Sequence, residues 1–145
     1  MQLFKALQPV QVLSFDLDDT LYDNKPVIAA AEQAMLDALA QYAPLTSSVG
    51  HDFWWQQRLL LAKTTPEIRH DVGRWRLLGI KAGLVALGLT QANAADIAKL
   101  AYAAFLQQRT RITIKPEIKQ LLEVLSQRYQ LIAITNGNAC ITKMG

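Results

Sequence analysis

Val10-Gln11-Val12-Leu13-Ser14-Phe15-Asp16-Leu17-Asp18-Asp19-Thr20-Leu21-Tyr22-Asp23 changes character partway along. Its first six residues are β-branched, aromatic and mostly apolar, the composition of a short buried strand, and the rest are acidic and turn-prone. A strand therefore runs straight into a carboxylate-rich loop. In an open α/β sheet, ligands gather beyond the carboxyl ends of the strands. Neighbouring carboxylates repel one another there, and one takes up a proton unless a counter-ion holds them. A hard cation with oxygen ligands, Mg²⁺ foremost, meets that need.

Residues two apart at a strand end point to the same side, so Asp16 and Asp18 can converge on one substrate atom. One of the pair can attack as a nucleophile. The other can pass a proton to a leaving oxygen and later take one from water. Asp19 and Asp23 read as turn-forming or solvated residues.

A second apolar strand is expected at Tyr129-Gln130-Leu131-Ile132-Ala133-Ile134-Thr135, stopped by the turn-forming Asn136-Gly137-Asn138. Almost everything between the two strands is helical in pattern. Pro26 suits a first helical turn, and Val27, Ala31, Ala34, Met35, Ala38 and Leu39 follow at helical spacing up to Tyr42. Pro44 to Gly50 reads as a linker, and a second helix is expected over Phe53 to Ala62, with Trp54 and Trp55 as packing residues. Thr65-Pro66-Glu67 predicts the capped start of a longer helix that carries Ile68, Val72, Trp75, Leu78 and Ile80 and ends near Gly88. Thr90 caps the next, with Ile97, Leu100, Ala101, Ala104 and Phe105 on one face. Pro116 opens the last, with Ile118, Leu121, Leu122 and Leu125 inward, and leads into the second strand.

The plan is an α/β one: a partial parallel sheet with two strands and a helical block inserted after the first. The expected boundaries are residues 1–23 and 113–145 for the sheet part and 24–112 for the insert. Of the 145 residues, 51% are apolar and 19% charged, so the chain can bury a core. The net charge of +3 is mildly basic, and the fifteen Lys and Arg form no run, so no nucleic-acid arm is expected. One cysteine, Cys140, excludes an internal disulfide and fits a reducing compartment. With no leader-like start and no bilayer-length apolar run, a soluble cytoplasmic protein without a membrane partner is expected. Nothing in the sequence sets an oligomeric state.

Asp16-x-Asp18-x-Thr20 after an apolar strand resembles the first motif of haloacid dehalogenase-type phosphatases, and Thr135 at the end of Leu131-Ile132-Ala133-Ile134 resembles their second. The resemblance implies a Rossmann-like core with an inserted helical cap. It also implies Mg²⁺-dependent hydrolysis of a small phosphate monoester through a phosphoaspartate. In that scheme Asp16 is nucleophile and metal ligand. Asp18 is general acid/base, with its main-chain carbonyl on the metal. Thr20 supports the loop, while Thr135 and the backbone at Asn136 hold the phosphoryl group. The runs FDLDDTLYDN, PEI-x-HDV-x-RWR and AITNGNA are similar, more closely, to proteobacterial flavin mononucleotide phosphatases. These also act on the phosphorylated ribityl-aminouracil intermediate of riboflavin synthesis.

Within the insert, His70, Arg74 and Arg76 are candidates to meet the substrate, with Trp75 stacking on a flat ring. The competing expectation is a solvated helix face with Trp75 in the core of the insert. The family's third-motif lysine and fourth-motif acidic pair have no counterpart: Lys143 is the sole lysine after Thr135 and lies too close to it for a crossover of about a dozen residues. The expectation is a truncated or frameshifted end and little or no turnover, since losing one such electrostatic stabiliser costs about 10²–10³ in rate. The helical insert is expected to be the better-ordered half. Two alternatives stand beside this reading: a non-catalytic remnant or helical interaction module, and a carbon–halogen hydrolase using the same carboxylate.

Overall fold

Strands β1 (Val12–Phe15) and β2 (Gln130–Ala133) pair in parallel in the computed structural model, which describes residues 9–135. Between them run α1 (Asn24–Tyr42), α2 (His51–Thr64), α3 (Val72–Ala86), α4 (Gln91–Arg109) and α5 (Pro116–Ser126), with 3-10 turns at Pro44–Ser48 and Pro66–His70. Val12 lies opposite Gln130 and Phe15 opposite Ala133. The amides of Gln130 and Ile134 donate to Gln11 O and Phe15 O at 2.9 and 2.8 Å, so the ladder closes at both ends. Contacts divide the described residues into a sheet unit, 9–25 and 112–135, and a helical unit, Pro26–Arg111.

In the sheet unit α5 packs on β2. Ile118, Leu122 and Leu125 recur at intervals of four and three and are half-buried, whereas Leu121 falls at the margin of that stripe and is exposed. Val12 and Ile132 are exposed as well, and Tyr22 is the one buried apolar residue of this unit among those described. No helix among the described residues is long and apolar enough to cross a membrane.

The helical unit holds the core. Ala31, Met35, Ala38 and Leu39 of α1 meet Trp54 of α2, Ile80 and Leu84 of α3, and Ala94, Ala98, Ala101 and Phe105 of α4. The inward face of α4 is thus an alanine stripe followed by the Phe105 ring and the buried Arg109, and Leu100, expected inside, is 47% exposed. Small residues face inward because the helices approach closely, and bulk is a poor guide to burial where backbones nearly touch.

The helix expected from Thr65 to Gly88 is two elements. Thr65 makes no side-chain cap, and the 3-10 turn Pro66–His70 ends at Asp71, whose φ of −115° and ψ of 86° leave the helical region. Asp71 then caps α3, its carboxylate accepting the Arg74 amide at 2.8 Å. The far end closes at Gly88, with φ +98°: Leu89 N donates to Leu84 O and Gly88 N to Val85 O, the paired bonds of a left-handed glycine stop. Thr90 caps α4 through the Asn93 amide, as its position implies.

Gly79 and Gly83 let α2 and α3 come together. A Cβ on Gly83 would stand 2.6 and 2.8 Å from two carbons of the Trp54 ring, and one on Gly79 would run into Arg58 Cγ. Gly83→Ala is therefore expected to lose about 1–2 kcal/mol in urea unfolding, because overpacking against a rigid ring exceeds the roughly 1 kcal/mol of helix propensity gained.

Candidate functional site

The loop after β1 is folded by its own backbone. Thr20 N and Leu21 N both donate to Leu17 O, at 3.3 and 3.0 Å. Asp19 sits at the bend with φ 58°, a left-handed conformation that aspartate tolerates better than most residues. Its carboxylate accepts the Asn24 amide at 2.9 Å, and that of Asp23 accepts Lys25 N at 3.0 Å. These two acids thus satisfy amides at the start of α1 that have no partner within the helix.

Asp18 is held from both sides. The buried Tyr22 donates its hydroxyl to Oδ1, Asn24 Nδ2 donates to Oδ2 at 3.4 Å, and a backbone bridge joins residues 18 and 22. Asp16 differs. It is the first residue past β1, its side chain is exposed, and no hydrogen bond reaches its carboxylate among the described residues. One carboxylate is fixed and its neighbour is open.

The parallel register carries both strand ends to the same edge of the sheet. Phe15 pairs with Ala133 and accepts from Ile134 N, so Asp16 and the half-buried Thr135 both lie just beyond that edge. Thr20 is exposed and acts through its main-chain amide. Asn136 lies outside the described residues.

In the helical unit His70 and Arg74 are exposed, at the end of a 3-10 turn and in the first turn of α3. Arg76 points inward: it pairs with Glu32 at 3.0 Å, and its guanidinium lies 4.0 Å from the Phe105 ring centroid. The solvated face expected for this segment therefore does not extend to Arg76, because the turn that starts at Asp71 rotates it into the core. Trp75 is half-buried, donates to Arg58 O at 2.7 Å and packs on Trp55 at 5.8 Å.

Three polar residues here were not singled out from sequence: Glu32, His51 and Arg58. His51 Nε2 lies 2.8 Å from Glu32 Oε2, so Glu32 is shared between His51 and Arg76. The available signal was Glu32 beside Ala31 in an apolar helix face and Arg58 one turn after the two tryptophans. Burial pushes the Glu32 carboxyl up, but hydrogen bonds and positive charge from Arg76 and His51 outweigh it, and the net shift is below the ordinary value of 4.5. A lowered folded-state value means that the unfolded chain binds the proton first. The stabilisation is complete above pH 4.5 and is lost as pH falls below it through the folded value. Glu32→Gln is expected to flatten the acid limb of a plot of Tm against pH.

An exposed aspartate beyond a parallel strand, a second one locked two residues on, and a threonine at the adjoining strand end belong here to an α/β hydrolase fold that carries a helical cap. The chain belongs to the haloacid dehalogenase-like hydrolases, whose family profile matches residues 10–144. It is 37% identical over 139 residues to 5-amino-6-(5-phospho-D-ribitylamino)uracil phosphatase YigB of Escherichia coli strain K12, a match covering 96% of this chain and 58% of that protein. A 2-haloacid dehalogenase from Pseudomonas syringae pv. tomato superposes with a TM-score of 0.85 at 34% identity, over 94% of this chain and 60% of the other. The chain thus spans about three fifths of the length of each of these relatives.

Proposed function

We propose that this chain carries the nucleophile loop of a Mg²⁺-dependent phosphatase acting on a riboflavin-precursor phosphate or flavin mononucleotide. The observation that carries the reading is the contrast between Asp16, open and unengaged, and Asp18, oriented by Tyr22 and Asn24. Asp16 attacks phosphorus and the ester P–O bond breaks, while Asp18 delivers a proton to the departing alkoxide. Water then attacks the phosphoaspartate, Asp18 takes its proton, and inorganic phosphate leaves. Thr135 and the main chain at Asn136 donate to the phosphoryl oxygens, and Thr20 keeps the loop in shape. In the helical unit His70 and Arg74, both exposed, remain candidates for the substrate, while Arg76 reaches it only by exchanging Glu32 for a ligand.

The donor set suits Mg²⁺. Asp16 offers a free carboxylate and Asp18 a main-chain carbonyl, both hard oxygens. No group of three or more His, Cys, Asp or Glu gathers among the described residues. Mg²⁺ commonly takes one or two protein carboxylates and completes its shell with waters and substrate phosphate. When bound, it neutralises charge between nucleophile and phosphate.

The test is an acid-quenched incubation with flavin mononucleotide, the ribityl-aminouracil phosphate or an aryl phosphate. Mass spectrometry should find one phosphoryl group on the peptide containing Asp16, formed with Mg²⁺ and absent with EDTA. No labelled peptide from any of the esters overturns the proposal. The structural relative favours a second reading, in which Asp16 displaces halide from carbon. Halide release from a 2-haloacid without Mg²⁺ would select it.

A further inference from the structure

The two-stranded sheet has two unlike faces. Side chains alternate along each strand, and register partners in a parallel pair point the same way. Val10, Val12 and Ser14 therefore share a face with Gln130, Ile132 and Ile134. The burial pattern agrees. Leu13, Phe15 and Leu131, on the opposite face, are half-buried, and α5 packs on that side. The first face is bare: Val10 is 53% exposed, Val12 43%, Ile132 42% and Ile134 62%, with Ser14 and Gln130 exposed between them. Among the described residues nothing covers it. Parallel strands rich in Val and Ile are ordinarily buried on both faces, and a contiguous apolar patch marks a contact surface.

The chemistry of the face selects its occupant. None of its six residues is charged. It offers no handle to an acidic or basic partner, whereas two identical copies meet on it without repulsion. A two-fold contact presents the same patch from both sides, and this patch complements itself. Ser14 stands opposite Ile132 in the register. A two-fold axis parallel to the strands lays β1 of each copy over β2 of the other, so the small Ser14 meets the large Ile132 twice. We propose that two copies of this chain associate through this face, their sheets stacked about 10 Å apart. Asp16, the first charge past the end of β1, stays at the solvated rim. Four apolar side chains on each copy fall well short of the roughly 800 Å² that each partner of a stable complex contributes. The pair is accordingly reversible and forms through the micromolar range. It does not depend on the phosphatase reading.

Sedimentation equilibrium of the full chain, from low to high micromolar concentration, is expected to show monomer in exchange with dimer. A chain that stays monomeric throughout, or that grows past the dimer into open-ended assemblies, overturns the pairing. Raising sodium chloride should leave the dimer unchanged or tighten it, since no charges meet; a pair that dissolves in salt overturns the neutral contact. Val12→Lys and Ile132→Lys each place like charges across the axis and are expected to give monomer with unchanged helical circular dichroism. Leu60→Lys, at a position of the helical unit that is 53% exposed, should leave the dimer intact. A dimer that survives both sheet variants, or that is lost in Leu60→Lys, overturns the surface. Should the sheet variants not fold, Val12→Thr combined with Ile132→Thr decides, because threonine keeps the β-branched shape and the strand preference. The dimer Kd should then rise by about tenfold or more, and an unchanged Kd rejects the face.

Discussion

Asp16→Asn should abolish the phosphoryl label and any residual phosphate release while leaving the fold intact. Asparagine has nearly the shape of aspartate but no anionic oxygen to attack phosphorus. Asp16 accepts no hydrogen bond among the described residues and is exposed, so the substitution should shift stability by less than about 0.5 kcal/mol. Loss of turnover with an unchanged Tm separates chemistry from folding. The neighbouring position supplies the contrast. Asp18→Asn should cost much less with an aryl phosphate, whose leaving group departs without a proton, than with an alkyl phosphate, which needs one. Equal losses on both esters would remove Asp18 from the role of acid. A rate unaffected by Asp16→Asn would remove the nucleophile altogether.

Phe105→Ala is expected to destabilise the helical unit by about 3–5 kcal/mol, read from urea or thermal unfolding followed by tryptophan emission. The ring is 1% exposed, stacks on Tyr102 at 6.1 Å and lies beneath the Arg76 guanidinium. The buried positions before it on α4, Ala94, Ala98 and Ala101, have no side chain to swing into the space it leaves. Removing it also strips Arg76 of its aromatic face, leaving the pairing with Glu32 to carry that buried charge. Since folded domains are stable by about 5–15 kcal/mol, a loss of this size threatens the unit outright. Phe105→Leu, which keeps most of the volume, should cost far less.

The sheet unit could be read largely from its residues, because strand composition and turn chemistry are local. Val12–Phe15 runs into its acidic loop as expected, and the capping of α1 by Asp19 and Asp23 agrees with their reading as turn residues. The helical unit was harder for a physical reason. Which face of a helix turns inward depends on what it meets. Along α3 and α4 half of the buried positions are Gly79, Gly83, Ala94, Ala98 and Ala101, which carry little hydrophobic signal. The break at Asp71 escaped notice because a proline after Thr65 imitates a helix start. The Glu32–Arg76 pair joins positions far apart in sequence, and no local pattern announces it.

The pairing of β1 with β2 dictates the order of assembly. The two strands lie more than a hundred residues apart, and the whole helical unit intervenes. During synthesis β1 leaves the ribosome first, and β2, its partner among the described residues, follows after a wait on the order of 10 s at typical elongation rates. The helices between them make nearby contacts that form early. Nascent chains should therefore complete the helical bundle while β1 still waits as an apolar segment, so the segment that ends at Asp16 settles after the helices that follow it.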